Sequence, residues 1–195
     1  MKTMQDTIGD MDRLGRAIAA SEFDAVVAVS PENVLYASDV FISTQITIRD
    51  RLALVVWDGV ADPTFIVCLV EEGYVREESW IRDLRTFKEF VTSPIDLLAN
   101  VLAEKGLDKA RIGIELEYLG AGYLHRLSNL LPNATFEAAE SLFARARMFK
   151  TPREMEIMTA GFRGTEKALM ETYQSVKPGD IERDMCFRLT DGILR

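Results

Sequence analysis

The sequence predicts an α/β fold: a mixed β-sheet with helices on both faces, followed by two further helices. Three observations carry this expectation. Short β-branched runs such as "AVVAVS" at 25–30 and "RIGIEL" at 111–116 alternate with stretches of helical apolar spacing, the pattern of a sheet covered by helices. Two apolar runs, "RLALVVWDGV" and "TFIVCLV", are linked through Asp58-Gly59 and Asp62-Pro63. Those are turn dipeptides, so the runs form a hairpin and the sheet is mixed, not purely parallel. From Thr151 onward two helical patterns follow one another without a strand between them.

Taken in order, Met11, Leu14 and Ile18 recur at helical spacing and define a first helix. "AVVAVS" is a buried strand that Pro31 ends, and "PENVLYASD" reads as a turn or a single helical turn. The hairpin follows. "IRDLRTFK" at 81–88 alternates weakly, and its charges suit an edge strand, where they discourage pairing with other chains. The helix over 94–105 has the clearest signals. Ser93 caps it, Pro94 takes its first position, Leu97, Leu98, Val101 and Leu102 form its buried face, and Gly106 ends it. After the strand at 111–116, a helix over 121–131 carries Leu124, Leu127 and Leu131, and "ATFEA" returns to a short strand. Repeats, low-complexity segments and a glycine-rich phosphate loop are missing from this pattern.

Composition narrows the function classes. The chain has 195 residues, 48% hydrophobic and 28% charged, with a net charge of −8. It is large enough for a real core. An acidic chain repels phosphate backbones and anionic lipid, so neither nucleic acid nor a membrane is an expected partner. No apolar run approaches the roughly 20 residues of a membrane helix, and the N-terminus lacks the apolar core of a signal peptide. The expected location is the cytoplasm. Cys68 and Cys186 read as buried free thiols.

The last fifty residues or so have their own signals. In "KTPRE", Thr151 caps a helix, Pro152 takes its first position and Glu154 completes a capping box. That helix runs to about Val176. In "GDIERDM", Asp180 is the candidate cap of the next helix, whose stripe of Met185, Leu189 and Ile193 needs a surface to cover. The pair either packs on the α/β domain or opens a second domain.

"RARMFKTPREMEIMTAGFRGTEKALMETYQSVKPGDIERDM" resembles the start of the pita-bread domain in the creatinase, prolidase and aminopeptidase P family. The matching residues are Arg147, Lys150, Glu156, Ile157, Ala160, Pro178, Gly179 and Glu182. Upstream, Pro31, Asn33 and Tyr36 are similar to the family's Pro-x-Asn-x-x-Tyr stretch, and "IGIELEYL" and "LLPNATFEAAE" are similar to the lead-in to the junction. The departure is "ASDV", where many members have a Thr-Gly or Ser-Gly pair.

The resemblance implies residues 1–146 as a creatinase/prolidase-like N-terminal domain and 147–195 as the first helices of a pita-bread catalytic domain. It implies the non-catalytic portion of a metal-dependent Xaa-Pro hydrolase, with a role in oligomerisation, as a dimer, and in closing the active site on a small peptide or other small molecule. The family's two divalent metals (manganese, cobalt or zinc) would activate a bridging water, but their ligands belong beyond the second pita-bread helix. This chain therefore supplies neither catalytic residues nor metal ligands and is expected to be an inactive piece. Alternatives are a fragment of a creatinase-like amidinohydrolase or other C–N hydrolase, and a free-standing dimerisation or binding module.

One functional role remains for the piece. In creatinase-like members an arginine and an aromatic from the segment matching "FISTQITIRDR" hold a substrate carboxylate in the neighbouring subunit's site. Arg49, Arg51 and Phe41 are the candidates here. An arginine's planar fork suits a carboxylate, although two exposed arginines flanking Asp50 are the plainer reading. His125, the one histidine, reads as a surface or packing residue, and the glutamates at 71–72 and 77–78 as a solvated helix start.

Overall fold

The computed structural model describes residues 2–48 and 51–194. The chain divides into two compact units, with the break between Phe149 and Lys150.

In the first unit one sheet gathers β1 (Ala25–Ala28), β2 (Leu54–Trp57), β3 (Thr64–Cys68), β4 (Asp83–Phe87), β5 (Arg111–Ile114) and β6 (Thr135–Ala138) in the order β4-β3-β2-β1-β5-β6. Strand β2 runs antiparallel to both neighbours, while β1–β5, β5–β6 and β3–β4 are parallel pairs. The carboxyl ends of the five co-directional strands therefore share one edge of the sheet. The weakly alternating 81–88 segment is an edge strand, as its charges lead one to expect.

Side chains leave the strands with period two and fill a core on each face. Val26, Ala28, Val55, Trp57, Phe65 and Val67 point into one core, and Ala25, Val27, Leu54, Val56, Ile66 and Ile112 into the other. The first core is closed by α1 (Met11–Ala19), α2 (Pro31–Ser38), α4 (Glu72–Glu78) and α7 (Glu140–Met148) through Leu14, Ile18, Tyr36, Val75, Leu142 and Phe143. Trp57 and Trp80 meet there edge to face, with ring centroids 5.8 Å apart. The second core is closed by α5 (Pro94–Glu104) and α6 (Ala121–Leu130) through Ile95, Leu98, Leu102 and Leu127. Each fully buried aliphatic side chain of this kind contributes roughly 1.5–3 kcal/mol. A short helix, α3 (Ser43–Thr47), buries only Gln45.

The residues after β1 differ from expectation. Pro31 starts a helix of two turns there, because Ser30 accepts the Asn33 N–H and the proline occupies the first position, where its missing N–H costs nothing. The helix ends at Asp39, in the left-handed region at φ 60°.

In the second unit, α8 (Pro152–Ser175) starts at the expected capping box of Thr151 and Glu154. It is followed by α9 (Glu182–Leu194), and Gly192 lets α9 approach Ala168 closely. Asp180 does not cap α9. Its carboxylate accepts the Lys177 N–H and a hydrogen bond from Arg188, closing the turn at Gly179, whose φ is +98°. Met185 and Leu189 are half-buried, while Ile193 is exposed. Cys68 is buried as expected, but Cys186 is exposed, because it lies one position off that stripe.

Candidate functional site

The carboxyl edge of the sheet concentrates the polar structure of the first unit. Glu115 follows β5 directly and is 3% exposed. Strands β1 and β5 are parallel neighbours, so Glu115 meets the turn from β1 into α2. Its carboxylate accepts hydrogen bonds from the Val29 N–H (2.5 Å), the Ser30 N–H (2.8 Å) and the Asn33 side-chain amide (2.6 Å). A buried carboxylate is tolerable only when so many donors replace water, and the N-terminal end of α2 adds a favourable dipole. Gln45 donates to the carbonyls of Val29 (2.6 Å) and Ala53 (3.3 Å), fixing α3 against the same edge.

These contacts give the Pro31, Asn33 and Tyr36 stretch a structural account. Pro31 starts α2, Asn33 clamps Glu115, and the Tyr36 hydroxyl accepts the Asp10 N–H and donates to the Ala146 carbonyl, tying α1, α2 and α7 together. Arg147 lies part-buried near the end of α7, and Lys150 is exposed just before the Thr151 cap. Pro178 and Gly179 form the turn between α8 and α9.

Of the three carboxylate-holding candidates, Phe41 and Arg51 lie among the described residues. Phe41 lies in the loop after α2, half exposed. The Arg51 fork grips Glu89 with bonds of 2.8 and 2.5 Å. Those hydrogen bonds hold the Glu89 carboxyl below its ordinary range and raise the Arg51 guanidinium. Arg49 lies outside the described residues.

Beside the Arg51–Glu89 pair opens a cavity of about 560 Å³ lined by Leu52, Ser93, Tyr118, Gly120, Gly122, Tyr123 and Arg126. It sits where the segments after β4 and β5 and the start of α6 meet. Arg126 pairs with Asp96 through two bonds of 2.6 Å, which keep that carboxyl below its usual range. Sequence reasoning did not find this cavity, since its walls come from three separate stretches of chain, at Leu52, at Ser93 and over 118–126.

Metal chemistry finds no donor set among the described residues: nowhere do three His, Cys, Asp or Glu side chains come together. His125 is exposed on α6 beside Asn129. Of the glutamates near 71–78, Glu71 accepts from the Thr44 hydroxyl and Glu72 pairs with Arg76. Two divalent ions of the kind that the family resemblance implies would find no cluster of three donors among the described residues. Among the described residues no helix is long and apolar enough to cross a membrane.

A six-stranded mixed sheet clothed on both faces, with a buried carboxylate clamp at its carboxyl edge, defines a mixed α/β domain. Residues 11–149 match the family model of the creatinase/prolidase N-terminal domain, and the chain belongs to that family. No curated protein gives a significant match. Among solved structures, the fold is similar to an Xaa-Pro dipeptidase from Bacillus anthracis (16% identity, TM-score 0.76), covering 94% of this chain and 48% of that one. It is also similar to an X-Pro aminopeptidase from Thermotoga maritima (18% identity, TM-score 0.78), covering 95% of this chain and 49% of that one. The isolated N-terminal domain of an Xaa-Pro dipeptidase from Lactobacillus brevis matches 69% of this chain and 98% of its own length (13% identity, TM-score 0.60). The chain thus spans about half the length of the two longer structures it matches.

Proposed function

We propose that this chain is the non-catalytic N-terminal part of an Xaa-Pro peptidase-type hydrolase that acts in the cytoplasm as a homodimer. The observation that carries the reading is one of coverage. Nearly the whole chain superposes on one half of an Xaa-Pro dipeptidase and of an X-Pro aminopeptidase, and a family model for the N-terminal domain takes up residues 11–149. On this reading the domain serves assembly and helps close the active site, and α8 and α9 open the catalytic domain.

Within the same reading, the Arg51 fork is committed to Glu89, so we assign the substrate-carboxylate role to Arg49. The test is hydrolysis of Xaa-Pro dipeptides by the full product of the source gene, with manganese and after chelation. Manganese-dependent cleavage, absent from residues 1–195 alone, supports the reading. A full product that cleaves no Xaa-Pro bond under either condition overturns it. Arg49→Ala should raise KM with little change in kcat, and an unchanged KM removes Arg49 from the site.

A further inference from the structure

Two buried amide oxygens at the carboxyl edge of the sheet, Asn33 Oδ1 and Gln45 Oε1, accept no hydrogen bond from the protein. Asn33 is 4% exposed and Gln45 1%. The other end of each amide fixes its orientation. Asn33 Nδ2 donates to Glu115, and Gln45 Nε2 donates to the carbonyls of Val29 and Ala53. Turning either amide over would set its oxygen against another acceptor and strand that acceptor's donor. A buried acceptor left unpaired is costly, and each one calls for a water or an ion.

A third oxygen belongs with them. The Glu115 carboxylate accepts two hydrogen bonds on Oε2 and one on Oε1. A carboxylate has about four acceptor positions, so one is left on Oε1, the atom that Asn33 holds. The donors to Glu115 are two backbone N–H groups and an amide, all neutral, and they leave its charge uncompensated. The three side chains share one short stretch of backbone. Gln45 holds the Val29 carbonyl, and Glu115 holds the Val29 and Ser30 N–H groups. Asn33 is bound to Glu115 through its side chain and to the Ser30 hydroxyl through its own N–H.

We infer that this edge binds a monovalent cation of the size of Na+ or K+, with oxygen ligands from Glu115, Asn33 and Gln45. A water would satisfy the amide oxygens but would leave a buried negative charge without a counter-charge. One carboxylate and two neutral amide oxygens balance a single positive charge, whereas a divalent ion such as calcium takes more oxygens and usually several carboxylates. The bound ion ties α2, the end of β5 and α3 together. Gln45 is the one residue that α3 buries, so the ion also fixes that short helix. The inference goes beyond the hydrolase reading and does not rest on it.

The test is urea unfolding of the 195-residue chain in NaCl, KCl and choline chloride at one ionic strength, followed by tryptophan fluorescence. Equal ionic strength removes screening as a cause, and choline is too large for the site. A cation at about ten times its Kd lowers the unfolding constant about tenfold. The midpoint should therefore be higher in NaCl or KCl than in choline chloride and should rise with the concentration of that cation. Gln45→Met removes one ligand oxygen. Glu115→Gln removes the charge but keeps an acceptor for the Val29 and Ser30 N–H groups, so the fold survives it. Each variant should lose most of the difference between salts, whatever its own stability in choline chloride. Equal midpoints in all three salts would mean that these oxygens hold ordered water only, and would overturn the inference. So would a salt difference that either variant keeps in full. Xaa-Pro hydrolysis is not read in this experiment, so its failure and that of the hydrolase reading are distinguishable.

Discussion

Asn33 donates its side-chain amide to the Glu115 carboxylate across 2.6 Å, joining residues 82 positions apart in the sequence. Both groups are buried. Removing one partner therefore costs more than the bond itself, because the other is stranded away from water.

Asn33→Leu should destabilise the first unit by about 2–3 kcal/mol, since a buried charge loses a donor. Glu115→Gln should cost about 1 kcal/mol, because the Asn33 amide can turn its oxygen toward the new one while the Val29 and Ser30 N–H groups keep an acceptor. Both tryptophans, Trp57 and Trp80, lie in the first unit, so their fluorescence during urea unfolding reports on that unit alone. An unchanged midpoint for Asn33→Leu would refute the clamp.

Asp39 ends α2 at φ 60°, and its carboxylate accepts the Ile8 N–H (3.2 Å) and pairs with Lys2 (2.6 Å). A left-handed backbone at this position is one that glycine adopts without strain and other residues do not. Asp39→Gly should lose the anchor but gain backbone ease, while Asp39→Ala loses the anchor and keeps the strain. The alanine variant should therefore be the less stable by about 1 kcal/mol. Equal stability of the two variants would mean that the φ imposes no penalty.

The thiols differ in surroundings, Cys68 buried at the end of β3 and Cys186 exposed on α9. Titration of the native chain with a thiol-reactive disulfide should show one equivalent reacting quickly and one slowly. Cys186→Ser should abolish the fast phase. Two fast equivalents would contradict the burial of Cys68.

Much of the first unit was legible because its signals are local. The strands at β1, β2, β3 and β5 are short apolar runs, and α1 and α5 carry their caps in the sequence, as α8 does in the second unit. Helix α2 was not, because Asn33, Val34, Tyr36, Ala37 and Ser38 are all buried and leave no polar face to reveal a helical period, while Pro31 reads as a stop. Helix α7 was missed because charged residues are interleaved with its buried Leu142, Phe143 and Ala146. Asn33 stood out only through family resemblance. That it holds Glu115 depends on β1 and β5 lying side by side, and no local periodicity encodes that pairing.

The Arg51–Glu89 pair gives a dependence on pH whose sign follows from its cause. Hydrogen bonds from Arg51 hold the Glu89 carboxyl below its ordinary value of 4.5. A carboxyl depressed in the folded state contributes stability that is present above its unfolded value and is lost as pH falls through its folded value. Arg51→Gln should therefore lower the urea midpoint at neutral pH, and the difference from wild type should shrink toward zero as pH falls through the depressed folded value of Glu89, below which the carboxyl is protonated in both proteins. Partial exposure and screening keep the effect smaller than that of Asn33→Leu and reduce it further in salt. The acid limb itself persists in the variant, because Asp96 and Glu137 remain depressed by Arg126 and Arg111. A difference that stays constant from neutral to acid pH would show that Arg51 contributes through packing of its stem and not through its charge.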